Sequence, residues 1–326
     1  MYYNFNYIIL SFSVLIIVSL ISAYFYKSKI STELLEKYND KELKKSKVKY
    51  IYKGYNNLLK DYNTVKYTSG GIPKIIFKTS WQKREEFNGE LITVLNDTII
   101  INPDYNLYYF DNDEVDTFMK SYSKRAYDAY NKIVPGAFKA DLFRYCILEK
   151  YGGCYSDIGH ITYVPFDSIC ENNKLILVKD LFDNGIHNAL MCATPHNEYI
   201  IKLVEECIIN IENNYYGYSS LSITGPVLAG TVYYKHLLDL KYKNEILSFN
   251  KVMFNNYIKT GSANNIKILE LKQFGKIETT NNDNNYIVDI HDKKLIRTKF
   301  RNYYKLMYTN SPYYNYYWLN KTVYKS

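Results

Sequence analysis

The sequence predicts an α/β domain with a mostly parallel central sheet flanked by helices, preceded by a transmembrane helix. Three observations carry this. Short β-branched runs alternate with segments of helical apolar spacing. The stretch "KADLFRYCILEKYGGCYSDIGH", Lys139 to His160, joins an apolar helix, a double glycine and a short strand. The run "YIILSFSVLIIVSLISAYFY", Tyr7 to Tyr26, carries no charge.

The uncharged run comes first. At about 1.5 Å per residue it spans roughly 30 Å, the hydrocarbon thickness of a bilayer. A signal peptide is the rival, but no Lys or Arg precedes the run and the small-residue pattern near Ser22-Ala23 is poor. Residues 1–26 are therefore expected to be a single-pass anchor, in a Golgi-like, ER-like or viral membrane. The lysines follow the span, which would keep the bulk of the chain cytoplasmic. A lumenal domain would want them before it, and the sidedness stays open.

Residues 27–69 read as a basic helical stalk. Lys27 to Lys66 holds eleven Lys against five acidic residues, most of the net charge of +8. The remainder is close to neutral, which excludes a nucleic-acid-binding domain, since that needs a basic face on the folded part. The 38 tyrosines among 326 residues reflect a coding bias more than a function. Five cysteines form no Cys-x-x-Cys pair, so they read as buried thiols rather than a zinc site, with one disulfide still possible in a lumenal compartment.

Residues 70–326 read as the globular domain, and 47% hydrophobic residues suffice for its core. "IPKIIFKTSW", Ile72 to Trp81, reads as a buried first strand and "NKLILVKDLF", Asn173 to Phe182, as a later one. The acidic Asp113 to Asp116 suits a helix start, with Asp111 and Asp113 as caps. "NEYIIKLVEECIINIENN", Asn197 to Asn214, has the spacing of an amphipathic helix. His187 and His196 fall in polar, loop-like stretches and read as solvated, and His236 as a surface residue of a helix.

Ala137 to Lys150 is apolar nearly all round, so the helix is buried, and only Asp141 and Arg144 interrupt its core-facing pattern. They lie three residues apart, as neighbours on one face. Gly152-Gly153 then supplies a left-handed cap and a reversal. Asp141 to Tyr151 rises about 15 Å as helix. Gly153 to Asp157 returns about 13 Å as strand. If the two pack antiparallel, Asp157 comes back beside Asp141 and Arg144 at the sheet end where such folds hold ligands. The same geometry also suits an internal salt bridge that only satisfies buried charge.

"ADLFRYCILEKYGGCYSD" resembles the helix–turn–strand signature of DXD-containing sugar transferases, and within them glycosyltransferase family 32. "IPKIIFKTSW", "ALMCATPHNEYI", "SITGPVLAG" and "VDIHD" resemble further segments of that family in the same order, from Ile72 to Tyr304. The resemblance implies a GT-A-like nucleotide-sugar-binding fold and transfer of a hexose, mannose in the first instance, with retention. The donor would be a GDP- or UDP-hexose and the acceptor a glycan or glycolipid.

Residue by residue, the resemblance implies that Asp141 and Arg144 grip donor hydroxyls and that Asp157 is the first Asp of the DXD motif. It places Thr79, Trp81 and Tyr155 at the nucleotide-sugar, and Thr224, Gly225 and Pro226 in a loop over donor or acceptor. Asp157 and His291 would hold a divalent cation, Mn²⁺ or Mg²⁺, since oxygen ligands suit both. The motif departs at its second Asp, which is Gly159 here. Three alternatives follow: Asp157 with His291, a contribution from His160, or a site without metal or activity. The last would leave a membrane-tethered, catalytically silent carbohydrate-binding or scaffolding relative.

Overall fold

The computed structural model describes residues 53–325, apart from 88, 163, 181–184, 243–260, 264–265, 271–275, 278–285, 291–292 and 298–311. The chain divides into two compact units, Met1–Ile51 and Tyr52–Ser326. The first lies outside the described residues, as do Tyr7–Tyr26 and most of the expected stalk. No helix among the described residues is long and apolar enough to cross a membrane. The reading of a single-pass membrane protein, with the membrane as partner and location, is corrected accordingly. It has no support among the described residues.

The second unit begins inside the expected stalk. Helix α1 (Tyr55–Asp61) buries Tyr55 and Leu58 in the main core. The succeeding elements are β1 (Ile75–Thr79), α2 (Gly89–Ile101), β2 (Asn106–Phe110), α3 (Asn112–Tyr122), α4 (Lys124–Lys132), α5 (Gly136–Tyr151), β3 (Gly153–Ser156) and β4 (Ile161–Thr162). Then come α6 (Phe166–Cys170), β5 (Leu175–Lys179), β6 (Leu190–Ala193), α7 (Glu198–Glu212) and α8 (Pro226–Tyr242). Strands β7 (Gly261–Ala263), β8 (Ile266–Glu270), β9 (Lys276–Ile277), β10 (Tyr286–Ile290) and β11 (Lys293–Arg297), with helix α9 (Tyr314–Leu319), complete the described chain.

Seven strands form the central sheet in the order β2-β1-β3-β6-β5-β8-β7. The sheet is mixed, which corrects the expectation of a mostly parallel one. β1 runs parallel to β2 and β3, and β5 to β8, but β6 is antiparallel to both β3 and β5 and β7 to β8. The connection from β5 to β6 is too short to hold a crossover helix, so the two strands pair antiparallel. A second sheet runs β4-β11-β10-β9.

Period-2 alternation sends successive side chains to opposite faces of the central sheet. Ile75, Phe77 and Tyr155 join one buried cluster with α5 and α7, while Ile76, Cys154 and Cys192 join another with α2 and α6. Tyrosine is a core residue here. Tyr109, Tyr145 and Tyr199 are fully buried, and each hydroxyl donates to a carbonyl: Gln82 at 2.6 Å, Thr224 at 2.7 Å and Ala229 at 2.9 Å. Leaving those donors unpaired would cost about 1–3 kcal/mol each.

Local chemistry fixes the ends of the helices. Asp111 caps α3, its Oδ1 accepting from the Glu114 N–H at 2.9 Å, and it plays no part in the polar site below. Asn197 caps α7 by accepting from Tyr199 N–H at 3.1 Å. Helix α5 stops at Gly152, where φ is +63° and ψ −157°, a region almost closed to other residues. A Cβ there would also meet Pro195 at 2.6 Å. That double constraint sends the chain straight from α5 into β3.

Candidate active site

The reversal at Gly152-Gly153 returns the chain along α5, and the turn after β3 carries Asp157 past the Arg144 side chain. Arg144 Nη1 lies 3.2 Å from Asp157 Oδ1 and Nη2 lies 3.3 Å from Asp141 Oδ1. The guanidinium also donates to the Asn188 carbonyl at 2.8 Å and stacks over the Tyr155 ring with Cζ 4.4 Å from its centre. Both carboxylates have further donors. Asp141 accepts from Asn188 Nδ2 at 2.8 Å and from Thr224 Oγ1 at 2.7 Å, and Asp157 from the Tyr155 hydroxyl at 3.0 Å.

Burial separates the two acids. The side chains of Asp141 and Arg144 are 11% and 7% exposed, and that of Asp157 is 29% exposed, so Asp157 presents the open edge. Burial pushes the Asp141 carboxyl up, against the pull of Arg144 and Thr224. Burial acts on Asp157 too, but Arg144 opposes it most strongly and the carboxyl is held below its ordinary value.

On the other side of the turn, Lys78 is fully buried at the end of β1. Its ammonium donates to the carbonyls of Asp157 at 3.0 Å and His160 at 3.3 Å and to Ser156 Oγ at 3.4 Å. Burial pulls it down to about 7, with Asp157 acting in the opposite sense. The His160 ring is buried, with Nδ1 3.1 Å from Ser156 Oγ, and burial pulls it down to about 3.

The structure thus brings together Asp141, Arg144, Asp157, Tyr155 and Thr224. Gly225 adjoins them, since a Cβ there would lie 3.6 Å from Asp141 Oδ2. Pro226 begins α8 and its carbonyl accepts from Ile186 N–H at 3.0 Å. Thr79 spends its hydroxyl on the Phe110 carbonyl at 2.8 Å, Trp81 is 40% exposed, and neither bonds to the network among the described residues. His291 lies outside the described residues.

Three histidines differ in setting from their expectations or from one another. His196 is exposed and pairs with Glu149 at 2.7 Å. His236, expected at the surface, is buried. His187 packs against His160, ring centres 6.3 Å apart, with Nδ1 3.5 Å from Asp180 Oδ2.

Sequence reading missed Asn188, Lys78 and His187. Asn188 and His187 sit in the polar stretch before β6, and only cross-strand pairing, with Asp157 N–H donating to the Ala189 carbonyl at 2.9 Å, carries them to the site. The cysteines are free and buried as the sequence suggested, but it gave no sign that three of them cluster: Cys154, Cys170 and Cys192 have their sulfurs within 4.8 Å of one another. β3, α6 and β6 each contribute one, so no local spacing announces it.

The family described as "glycosyltransferase sugar-binding region containing DXD motif" matches residues 89–176, which include Asp141, Arg144 and Asp157. A mannosyl phosphorylinositol ceramide synthase of Saccharomyces cerevisiae is 26% identical over 220 residues, 61% of this chain and 56% of that protein. The initiation-specific alpha-1,6-mannosyltransferase of Candida albicans is 35% identical over 81 residues, 24% of this chain and 21% of its own length. An uncharacterized glycosyltransferase of Acanthamoeba polyphaga mimivirus is 32% identical over 145 residues, 40% of this chain and 55% of that one. The chain therefore spans little more than half the length of the relatives it matches furthest. A solved structure titled PaToxG glycosyltransferase superposes with a TM-score of 0.43 at 19% identity, over 58% of this chain and 80% of that one.

The family match and the curated relatives define the class. The chain carries a GT-A-type glycosyltransferase domain with a DXD-like sugar-binding region, distantly related to fungal mannosyltransferases. They do not single out family 32 within it. A fold of this type can bind a divalent cation, and the residues here fit one in part. Asp157 offers an exposed carboxylate edge, Gly159 offers nothing, and His187 Nε2 is a buried ring nitrogen with no hydrogen-bond partner among the described residues.

Proposed function

We propose that this chain transfers a hexose from a nucleoside-diphosphate sugar to a glycan or glycolipid acceptor, with a GDP- or UDP-hexose as donor. The observation that carries the reading is the Asp157 carboxylate. It sits past the carboxyl end of β3 with an exposed edge, ionised by Arg144, inside the region that matches the DXD family. Mannose is the first sugar to test, because two of the relatives are named for mannosyl transfer.

Each residue then has a defined task. Arg144 holds Asp157 charged and in one rotamer through its 3.2 Å contact, while Tyr155 fixes the same oxygen from below. Asp141, with Thr224 and Asn188 bonded to it, anchors the guanidinium in turn. A fixed, ionised acceptor orients sugar hydroxyls without reorganisation at the moment of reaction. A divalent cation, when bound at Asp157, would neutralise charge developing on the diphosphate.

Gly159 favours a second reading, a catalytically silent relative that binds carbohydrate or a partner. Nucleotide release from a panel of GDP- and UDP-hexoses, with and without Mn²⁺, separates the two. The transferase reading expects release from at least one donor, lost in Asp157→Asn. No release and no thermal shift with any donor would leave the silent reading standing.

A further inference from the structure

The second carboxylate of the DXD motif is absent at Gly159, yet one side chain next to the turn has an unused metal-binding atom. His187 Nε2 is shielded from solvent and has no hydrogen-bond partner among the described residues. A neutral imidazole always has one acceptor nitrogen, and burying it unpaired costs free energy unless something else takes the lone pair. The other nitrogen settles which atom that is. Nδ1 faces Asp180 Oδ2 at 3.5 Å, and the Asp180 side chain is itself only 9% exposed. A carboxylate there favours the proton on Nδ1 and leaves the lone pair on Nε2. Carboxylate, imidazole and metal in series is the usual arrangement behind a histidine ligand. A lone pair also selects a cation over a phosphate oxygen, which would need an N–H.

The fold explains how His187 reaches the turn. Ser156 pairs with Leu190, and Asp157 N–H donates to the Ala189 carbonyl, so the residues before β6 run back beside the Asp157–His160 turn. His187 N–H donates to the Val178 carbonyl at 2.7 Å, which ties it to β5 while its ring packs on that of His160. His160 is the poorer candidate, because its Nδ1 is engaged with Ser156 and its carbonyl carries the Lys78 ammonium.

We infer that His187 Nε2 supplies the second protein ligand to the divalent cation, in place of the carboxylate missing at Gly159. The inference rests on the glycosyltransferase reading above and deepens it. A nitrogen donor also sets the metal: Mn²⁺ accepts imidazole, whereas Mg²⁺ demands oxygen and dehydrates reluctantly.

The test uses the full, untagged chain with Mn²⁺ and GDP or UDP, and reads metal binding rather than turnover. Electron paramagnetic resonance of free Mn²⁺ gives the affinity. Electron spin-echo modulation reports a ¹⁴N nucleus bonded to Mn²⁺. Wild type is expected to show the nitrogen signal, and His187→Ala to lose it with Mn²⁺ affinity at least about tenfold weaker. Adding Gly159→Asp to His187→Ala should restore the affinity without the nitrogen signal. Asp180→Asn covers the case in which His187→Ala does not fold, and is expected to weaken Mn²⁺ about tenfold. If Asp157→Asn loses Mn²⁺ while His187→Ala and Asp180→Asn bind it as wild type does, His187 is no ligand and the transferase reading survives. If wild type binds no Mn²⁺ with either nucleotide, His187 is no ligand, and the transferase reading stands or falls on nucleotide release without metal.

Discussion

The two sides of the Asp157–His160 turn handle buried charge in opposite ways. Toward α5, Arg144 pairs with both carboxylates: it holds Asp157 below its ordinary value, and with Thr224 and Asn188 it opposes the burial that pushes Asp141 up. Toward β1, Lys78 has no carboxylate among its hydrogen-bond partners and meets only carbonyls and a hydroxyl, and burial drives it and His160 toward their neutral forms. The pairing side has one open edge, at Asp157, while Lys78 is sealed. Ionised groups stand where a ligand can meet them, and neutralised ones hold the turn from behind. Each prediction below breaks one side of that contrast.

The largest effect is expected from Arg144→Met. Removing one partner of a buried ion pair strands the others, at about 3–5 kcal/mol. A denaturant titration should show that loss, and Asp141→Asn added to Arg144→Met should recover part of it. A single variant as stable as wild type would mean that the network contributes geometry and no stability. Asp157→Asn comes next and acts on the reaction. It keeps shape and removes charge, so nucleotide release from the best donor should fall by about 10²–10³-fold, the scale of losing one preorganised electrostatic contact. Because Asp157 is held below its ordinary value, the variant also loses some stability, so rates are compared at a temperature where circular dichroism shows it folded.

Thr224→Val is smaller. Its hydroxyl donates to Asp141 Oδ2 at 2.7 Å, and a hydrogen bond to a charged group contributes about 1.5–3 kcal/mol. Circular dichroism melts should show a drop within that range. An unchanged midpoint would place the strength of Asp141's anchoring in Asn188 alone.

What the sequence made legible follows the same division. Helix α5 stood out because it is apolar all round and ends in two glycines, and Asp141, Arg144 and Asp157 stood out as exceptions to that pattern. The strand directions did not, because β3, β5 and β6 are buried on both faces and a run such as Leu175–Lys179 looks alike in parallel and antiparallel company. Lys78 was hidden by period-2 alternation, which gives no hint that a lysine points inward at the end of β1. His187 and Asn188 lie in a polar stretch that only the β3–β6 pairing explains. The thiols of Cys154, Cys170 and Cys192 meet through three separate elements, beyond the reach of any spacing rule.

The smallest expected effect tests the neutralised side. Burial pulls Lys78 down to about 7 in the folded chain, whereas an unfolded lysine titrates near 10.4. Between those values the unfolded state holds a proton that the folded state has released, so stability rises with pH across that window. The slope reaches at most about 1.4 kcal/mol per pH unit and vanishes below about pH 7, where both states are protonated. Tyrosines held above their ordinary value by burial, such as Tyr62 and Tyr233, act in the opposite sense at higher pH, so pH 7 to 9.5 is the range to use. The readout is the difference between wild type and Lys78→Met in urea titrations at several pH values, since every other titrating group cancels in it. Wild type should gain on the variant as pH rises. A constant difference would mean that Lys78 stays charged in its pocket, and then the turn at Asp157 is held from behind by a full ammonium and both sides of it are ionic.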